Sequence, residues 1–310
     1  MTIVCHSDRG FVILTAGKNL THATENPIQS MLRLPSTIQP DEFESLKIQD
    51  MMFVAYRSNV YPERNEIFFE EHAVVFVLEG EKKFVAPNQA IHVQKGNILF
   101  FQTGCYSMNE SIDSDYRSLV FFFNEKLLKE FVNQHHTLFE KAKSLPTNPI
   151  LLLNSTPTFE KFVDSLLPYF ESKTNYLNQF LKLKFQELLL HLIEIDTSEQ
   201  LKTILFNIYH GQTVDLDYLL NEYYLKPLTI SELARLSGRS LSAFKREFEE
   251  RFNASPAVWI KQKRLEHANF LLKNSSKNVY EICQEIGYES VSHFIKAFKE
   301  KYGFTPKQSI

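Results

Sequence analysis

Two stretches in the last third of the chain carry one pattern twice, 50 residues apart. Ser240 aligns with Ser290, Ser242 with Ser292, Phe244 with Phe294, Phe248 with Phe298, Phe252 with Tyr302, and Pro256 with Pro306. The aromatic residues of each copy recur at i, i+4 and i+8, which places them on one face of a helix and marks that face as buried. The outward face is then Ser242, Lys245, Arg246 and Glu249 in the first copy, and Ser292, Ile295, Lys296 and Lys299 in the second. A short helix precedes each copy, opened by Thr229 with Glu232 and by Asn278 with Glu281; this is the capping-box spacing, in which side chain and backbone satisfy each other's free N–H groups. Gly238 or Gly287 then turns the chain, and Ser240 or Ser290 caps the next helix. Helix, glycine turn, helix is the pattern of a helix-turn-helix unit. The last third is therefore expected to hold two such units.

Charge divides along the same line. From Lys226 onward there are 15 Lys and Arg against 9 Asp and Glu, a net of +6, whereas the rest holds 19 against 28, a net of −9. A basic module on an acidic body is the electrostatic footprint of nucleic-acid binding. Cys5, Cys105 and Cys283 are odd in number and unrelated in spacing, which argues against a disulfide framework and a four-cysteine zinc site. Apolar residues never run for the length of a membrane span, and Val12–Leu14 is too short for a signal-peptide core, so a soluble, cytoplasmic chain with no membrane association is expected.

Upstream, Met51 to Phe123 reads as short β-branched and aromatic runs, His72–Leu78, Lys83–Val85, Ala90–Gln94, Ile98–Phe101 and Tyr116–Phe123, with turns at Glu79-Gly80-Glu81, Ala86-Pro87-Asn88 and Lys95-Gly96-Asn97. That is all-β spacing and implies a small barrel or sandwich. Helical periodicity follows in Glu125–Gln134, Phe159–Glu171 and Tyr176–Ile195, and the prolines of Lys143–Thr158 mark a surface loop. In Tyr176–Ile195, Leu177, Phe180, Leu181, Lys184, Leu188 and Leu192 form a stripe that either packs on the β domain or makes a homodimer contact. The expected class is α+β multidomain, an N-terminal β-barrel with a helical extension and a C-terminal all-α domain. The divisions fall at 1–140, 141–212 and 213–310.

The C-terminal part resembles the AraC/XylS family of transcription regulators, on Ala234, the run GRSLSAFKREF, the run SPAVWIKQKRLEHANFLL and the run IGYESVSHFIKAFKEKYGFTP. The β region is similar to the cupin-like regulatory domain of the type III secretion activator subgroup. The resemblance implies two units joined by a rigid bridging helix, here Pro256–Lys273, that enter successive major grooves on one side of the DNA, and a regulator that activates by recruiting RNA polymerase. A repressor acting by promoter occupancy is the alternative. Carried onto this sequence, the base-contacting candidates are Ser242, Lys245 and Arg246, then Val291, Ser292, Ile295 and Lys296; Arg246 suits bidentate pairing with guanine, and the apolar pair suits thymine methyls. The phosphate-contacting candidates are Ser240 and Ser290 at helix N-termini, with Lys261, Lys263, Lys299 and Lys301. Arg264 is expected to be an internal salt-bridge partner, Cys283 a small packed hydrophobe, and Asn253 a left-handed helix end equivalent to Gly303.

The β region offers His72 and His92, 20 residues apart, and no His-x-His pair with a carboxylate, so neither a metal cofactor nor an enzyme is expected. Phe76, Leu78, Phe84, Leu99, Phe101 and Phe122 are read as filling the barrel, and the regulatory input is expected to be a protein partner or a small apolar ligand rather than a sugar.

Overall fold

The computed structural model describes residues 31–38, 43–48, 50–58, 65–86, 89–110, 116–171 and 174–309. Cys5, the Val12–Leu14 stretch and the Pro87-Asn88 part of one expected turn lie outside the described residues. Two sheets form the N-terminal barrel. The first, in the order β1-β4-β9-β6-β7, consists of Leu32–Leu34, Asn65–Phe69, Gly104–Glu110, Glu81–Ala86 and Gln89–Gln94. The second, in the order β11-β8-β5-β10-β3-β2, consists of Ile150–Asn154, Asn97–Phe101, His72–Glu79, Tyr116–Phe123, Met51–Ser58 and Glu44–Ile48. β1 and β4 pair in parallel, and the other pairs are antiparallel.

The second sheet is covered on both faces, which explains why β5 and β10 read as continuous apolar runs instead of alternating ones. Ala73, Val75 and Val77 point into the barrel, while Val74 and Phe76 point out at a helical layer. That layer comprises α1 (Glu125–Gln134), α2 (Pro157–Asp164), α3 (Leu167–Glu171), α4 (Leu177–Ile195) and α5 (Gln200–Tyr209). Phe159 of α2 meets Phe76 edge-on at 5.3 Å between ring centres, and Phe185 of α4 meets Phe123 at 5.1 Å. Full burial of such a ring contributes about 1.5–3 kcal/mol, so the helices and the sheet form one core.

Three expectations change here. Lys143–Thr158 contains β11, whose Ile150 and Leu151 are buried and whose Asn154 accepts from the Asn97 side-chain amide at 2.9 Å; the prolines stop a helix but leave a strand at the sheet edge. The helix of Phe159–Glu171 breaks around Ser165, whose hydroxyl donates back to the Phe162 carbonyl at 2.5 Å. Phe84, Leu99, Phe101 and Phe122 do line the barrel interior, but Phe76 and Leu78 face the helices. The interior is also not full: it holds an apolar cavity of about 120 Å³.

The C-terminal part consists of α6 (Leu216–Tyr223), α7 (Ile230–Leu236), α8 (Leu241–Phe252), α9 (Pro256–Asn274), α10 (Val279–Glu285) and α11 (Val291–Tyr302). Two apolar cores divide these helices. Leu216, Leu219, Leu233, Phe244, Phe248 and Ile260 belong to the first, and Leu265, Ala268, Leu272, Ile282, Phe294 and Phe298 to the second. α9 contributes to both, and so acts as a rod between the two units. Among the described residues, no helix is long and apolar enough to cross a membrane.

Candidate nucleic-acid interface

In the first unit Thr229 accepts from the Glu232 N–H at 3.2 Å while the Thr229 N–H donates to the Glu232 carboxylate at 2.6 Å. The second unit repeats this with Asn278 and Glu281, at 3.0 and 2.7 Å. Each cap fixes where the first helix of its unit begins. The turns are fixed by backbone crowding as well as by positive φ. A Cβ on Gly238 would lie 2.5 Å from the Gln212 carbonyl oxygen, and one on Gly287 would overlap the Leu225 carbonyl oxygen. Only glycine lets the segments just before and just after α6 pass this close.

Ser240 then caps α8, accepting from the Ala243 N–H at 3.2 Å, and Ser290 caps α11, accepting from the His293 N–H at 3.4 Å. Phe244, Phe248, Phe294 and Phe298 are fully buried, as the aromatic spacing requires. Ser242, Lys245 and Arg246 of α8 and Ser292, Lys296 and Lys299 of α11 are exposed. Lys245, Arg246, Lys296 and Lys299 carry no ion-pair partner among the described residues, so their charges face solvent.

Other candidates are differently placed. Val291 is half-buried and packs against the second core, and Ile295 is half-buried beside it, so this end of α11 offers less side chain outward than its spacing suggests. Lys261 pairs with Glu300 at 3.4 Å, and Lys263 with Glu266 at 3.2 Å. Lys301 binds Glu266 at 3.1 Å and the Gln262 carbonyl at 3.0 Å, bracing α11 against α9. Asn253 adopts the left-handed conformation at the end of α8, with φ of 50°, matching Gly303 at 83° after α11. Cys283 is a buried, packed residue whose thiol burial pushes up to about 11.

Arg264 is internal, but as a carbonyl clamp instead of a salt bridge. Its guanidinium donates to the Tyr224 oxygen at 2.6 Å, the Gly287 oxygen at 2.9 Å, and the Lys226 oxygen. Tyr224 and Lys226 lead into the first unit and Gly287 is the turn of the second, so one side chain ties the two units to α9 at its midpoint. Desolvation holds its pKa below the usual arginine value.

A contact the sequence did not signal joins the barrel to the first unit. Met31, Phe68 and Cys105 complete that unit's core, Arg33 holds Glu232 at 2.9 Å, Lys226 holds Glu66 at 2.7 Å, and Arg235 donates to the Glu70 carbonyl at 2.8 Å. Burial here pushes the Cys105 thiol up to about 12, which makes it packing material and not a nucleophile.

Two capped recognition helices, each with its own core and outward cations, held at a fixed relation by one rod, define a DNA-binding transcription regulator. Comparison with known proteins agrees: the family described as a helix-turn-helix domain matches residues 233–309, and that described as the ExsA N-terminal regulatory domain matches residues 72–204. The chain thus holds a helix-turn-helix domain of the AraC type behind an ExsA-type regulatory domain. The virulence regulon transcriptional activator VirF of Yersinia enterocolitica is 24% identical over 241 residues, covering 77% of this chain and 89% of that protein. The HTH-type transcriptional regulator ExsA of Pseudomonas aeruginosa is 25% identical over 242 residues, covering 77% of this chain and 86% of that protein. Among solved structures, ToxT from Vibrio cholerae aligns at 16% identity with a TM-score of 0.40, over 84% of this chain and 97% of that one.

Proposed function

We propose that this protein activates transcription from a promoter-proximal site whose two elements lie one helical turn apart, by recruiting RNA polymerase. The observation that carries the reading is the pair of unpartnered cation sets, Lys245 with Arg246 and Lys296 with Lys299, on two N-capped helices that α9 and Arg264 hold together. Successive major grooves on one face of B-DNA lie about 34 Å apart, so two such helices on one chain read one turn without a second copy. Arg246 pairs with a guanine edge, Lys245 donates to guanine or a phosphate, and Ser242 sits beside them. On α11, Ser292 and Lys296 supply the polar contacts and Ile295 touches a thymine methyl, with Val291 behind it, which makes the second element A·T-rich. Ser240 and Ser290 place backbone N–H groups against phosphates, and Lys299 adds charge. Activation is favoured over repression because VirF, a relative along most of the chain, is itself a transcriptional activator.

The regulatory domain, up to about residue 212 and ahead of the DNA reader at 213–310, takes the input, a small apolar molecule or a protein partner. Tyr176 at the cap of α4 and Phe180, Leu183 and Leu190 on it face outward, while Leu181, Phe185, Leu188 and Leu192 are buried. The outward set is spaced for a helix-to-helix contact, and it dimerises the protein on paired sites.

DNA selection from a random pool with the full-length chain, followed by reporter transcription from the selected site, tests the reading. A bipartite motif and a gain over the bare promoter are expected. A single short motif, or transcription lowered by the protein, would refute it.

A further inference from the structure

Outside the barrel, where it meets the helical layer and the first helix-turn-helix unit, lies a second cavity, of about 360 Å³. It shares no lining residue with the one inside the barrel, on whose wall Lys82 is buried. Its size falls in the range of small-molecule sites, about 300–1,000 Å³. His72 lines it from the start of β5 and Thr103 from the turn between β8 and β9; Asn207 lines it from the end of α5, and Leu219 and Leu236 from the first unit.

Two buried polar atoms on this wall have no hydrogen-bond partner among the described residues, and they are of opposite kind. His72 is 4% exposed, and its Nδ1 accepts from the Thr103 N–H at 3.3 Å. The proton of the neutral ring is therefore on Nε2, a donor without an acceptor. Asn207 spends its side-chain N–H on the Leu145 carbonyl at 2.8 Å, which leaves Oδ1 as an acceptor without a donor. Native chains keep few such groups, and each of them asks for a cause. A donor from the barrel and an acceptor from the helical layer, on the wall of one cavity, share a cause if a molecule there accepts from the first and donates to the second.

The charges on the wall are already matched. Lys129 pairs with Glu125 at 3.0 Å, and Arg235 donates to the Glu70 carbonyl at 2.8 Å with the Glu71 carboxylate at 3.9 Å. A carboxylate or an ammonium entering the cavity would meet no free counter-charge, and burial without one is costly. Leu145, Ile208, Val214 and Leu219 make the rest of the wall apolar. A cavity of about 150 Å³ admits benzene, or about 25 Å³ for each carbon, so 360 Å³ suits about fourteen non-hydrogen atoms.

We propose that this junction cavity is a binding site for a neutral amide of about fourteen non-hydrogen atoms, whose carbonyl accepts from the His72 Nε2–H and whose N–H donates to the Asn207 Oδ1. Its apolar part lies against Leu145, Ile208 and Leu219. The site is separate from the barrel interior, and its occupancy does not depend on the DNA-reading role.

The test uses the full-length protein with N-acetylphenylalaninamide, a neutral diamide of matching size. N-acetylphenylalanine, with as many non-hydrogen atoms and a carboxylate end, is the mismatched probe. Isothermal titration and ligand-observed NMR read binding. The diamide is expected to bind saturably with a submillimolar Kd, and the acid about tenfold more weakly. His72→Phe removes the donor and Asn207→Leu the acceptor; each should weaken diamide binding by about fivefold, within what one hydrogen bond contributes. Asn207 is half-buried, so Asn207→Leu serves where His72→Phe yields little folded protein. Ser118→Leu, which adds bulk to the barrel interior instead, should leave the diamide affinity unchanged. No saturable binding of the diamide, equal binding of the acid, or an affinity that the cavity variants leave unchanged overturns the proposal.

Discussion

Replacing Arg264 with lysine keeps the charge and removes the fork, and so asks whether the two units are held as one reader. The guanidinium serves three carbonyls, those of Tyr224, Lys226 and Gly287. A lysine ammonium at the same place reaches one of them. A hydrogen bond from a charged donor contributes about 1.5–3 kcal/mol, so loss of two costs about 3 kcal/mol at the lower end of that range. Denaturant unfolding of R264K should show that loss as a lowered midpoint. The consequence for DNA follows from where the carbonyls lie: the clamp spans the lead-in to the first unit and the turn of the second. With it loosened, R264K should lose about tenfold in affinity for a site whose elements are one turn apart, and should be penalised less than wild type when a half-turn is inserted between them. Gel-shift titration on the two spacings reads both effects. A variant with the wild-type midpoint and the wild-type spacing preference would show that α9 packing alone sets the geometry, and the clamp argument would fail.

Arg246→Ala should cost about 1–3 kcal/mol in DNA binding and relax the preference at one base of the first element, read by repeating the selection with the variant. Lys299→Ala should weaken binding to all sequences alike and lower the salt slope by about 1, whereas Lys301→Ala, already committed to Glu266 and the Gln262 carbonyl, should lower stability and leave the slope unchanged. Gly287→Ala forces a side chain into the Leu225 carbonyl and should unfold the second unit, while Gly303→Ala, with open space and only its positive φ to offend, should cost about 1 kcal/mol by thermal melt. Burial lowers the His72 pKa to about 4 from an ordinary 6.5, with Glu125 opposing and Lys129 assisting, and its Nδ1 accepts from the Thr103 N–H at 3.3 Å. The unfolded chain then binds the proton first. Stability should be fully present above about pH 6.5 and lost by about 3 kcal/mol as the pH falls to 4, a dependence that His72→Gln removes.

What could be read from the sequence was what depends on near neighbours. Capping boxes span three residues, recognition-helix aromatics four, and a left-handed asparagine only itself, so α7, α8, α10, α11 and the end at Asn253 were visible without a fold. The clamp was not, because its acceptors are backbone carbonyls 23 to 40 residues away, which no residue type announces. The barrel-to-reader contact was hidden for another reason: Phe68 continues the apolar run Ile67–Phe69 and Cys105 is one small residue on a face it shares with Ser107, so alternation gives no sign that this side meets a partner. Lys82 was hidden too. In Glu81-Lys82-Lys83 the two lysines look alike, and only the register of β6 with β9 sends one into the barrel and leaves the other exposed.

The charge split also takes on a different meaning once pairing is known. The +6 of the last third suggests a diffuse basic surface. Much of that charge is spent internally: Lys226 on Glu66, Arg239 on Glu247, Arg251 on Asp215 and Asp217, Lys277 on Glu285, and Lys301 on Glu266. Of those acids only Glu66 lies in the acidic N-terminal body; the others, Asp215 and Asp217 at the start of α6 included, belong to the reader, which therefore neutralises most of its own scaffold. The unpaired remainder on α8 and α11 is Lys245, Arg246, Lys296 and Lys299. Counterion release contributes a slope of about −0.9 per phosphate neutralised, so these four cations set a ceiling near −4 on the slope, and those spent on base edges lower it. The electrostatic attraction is therefore modest in total and concentrated on the two helices that meet the grooves, which leaves the base contacts of Arg246 and its neighbours a larger share of the discrimination between sites.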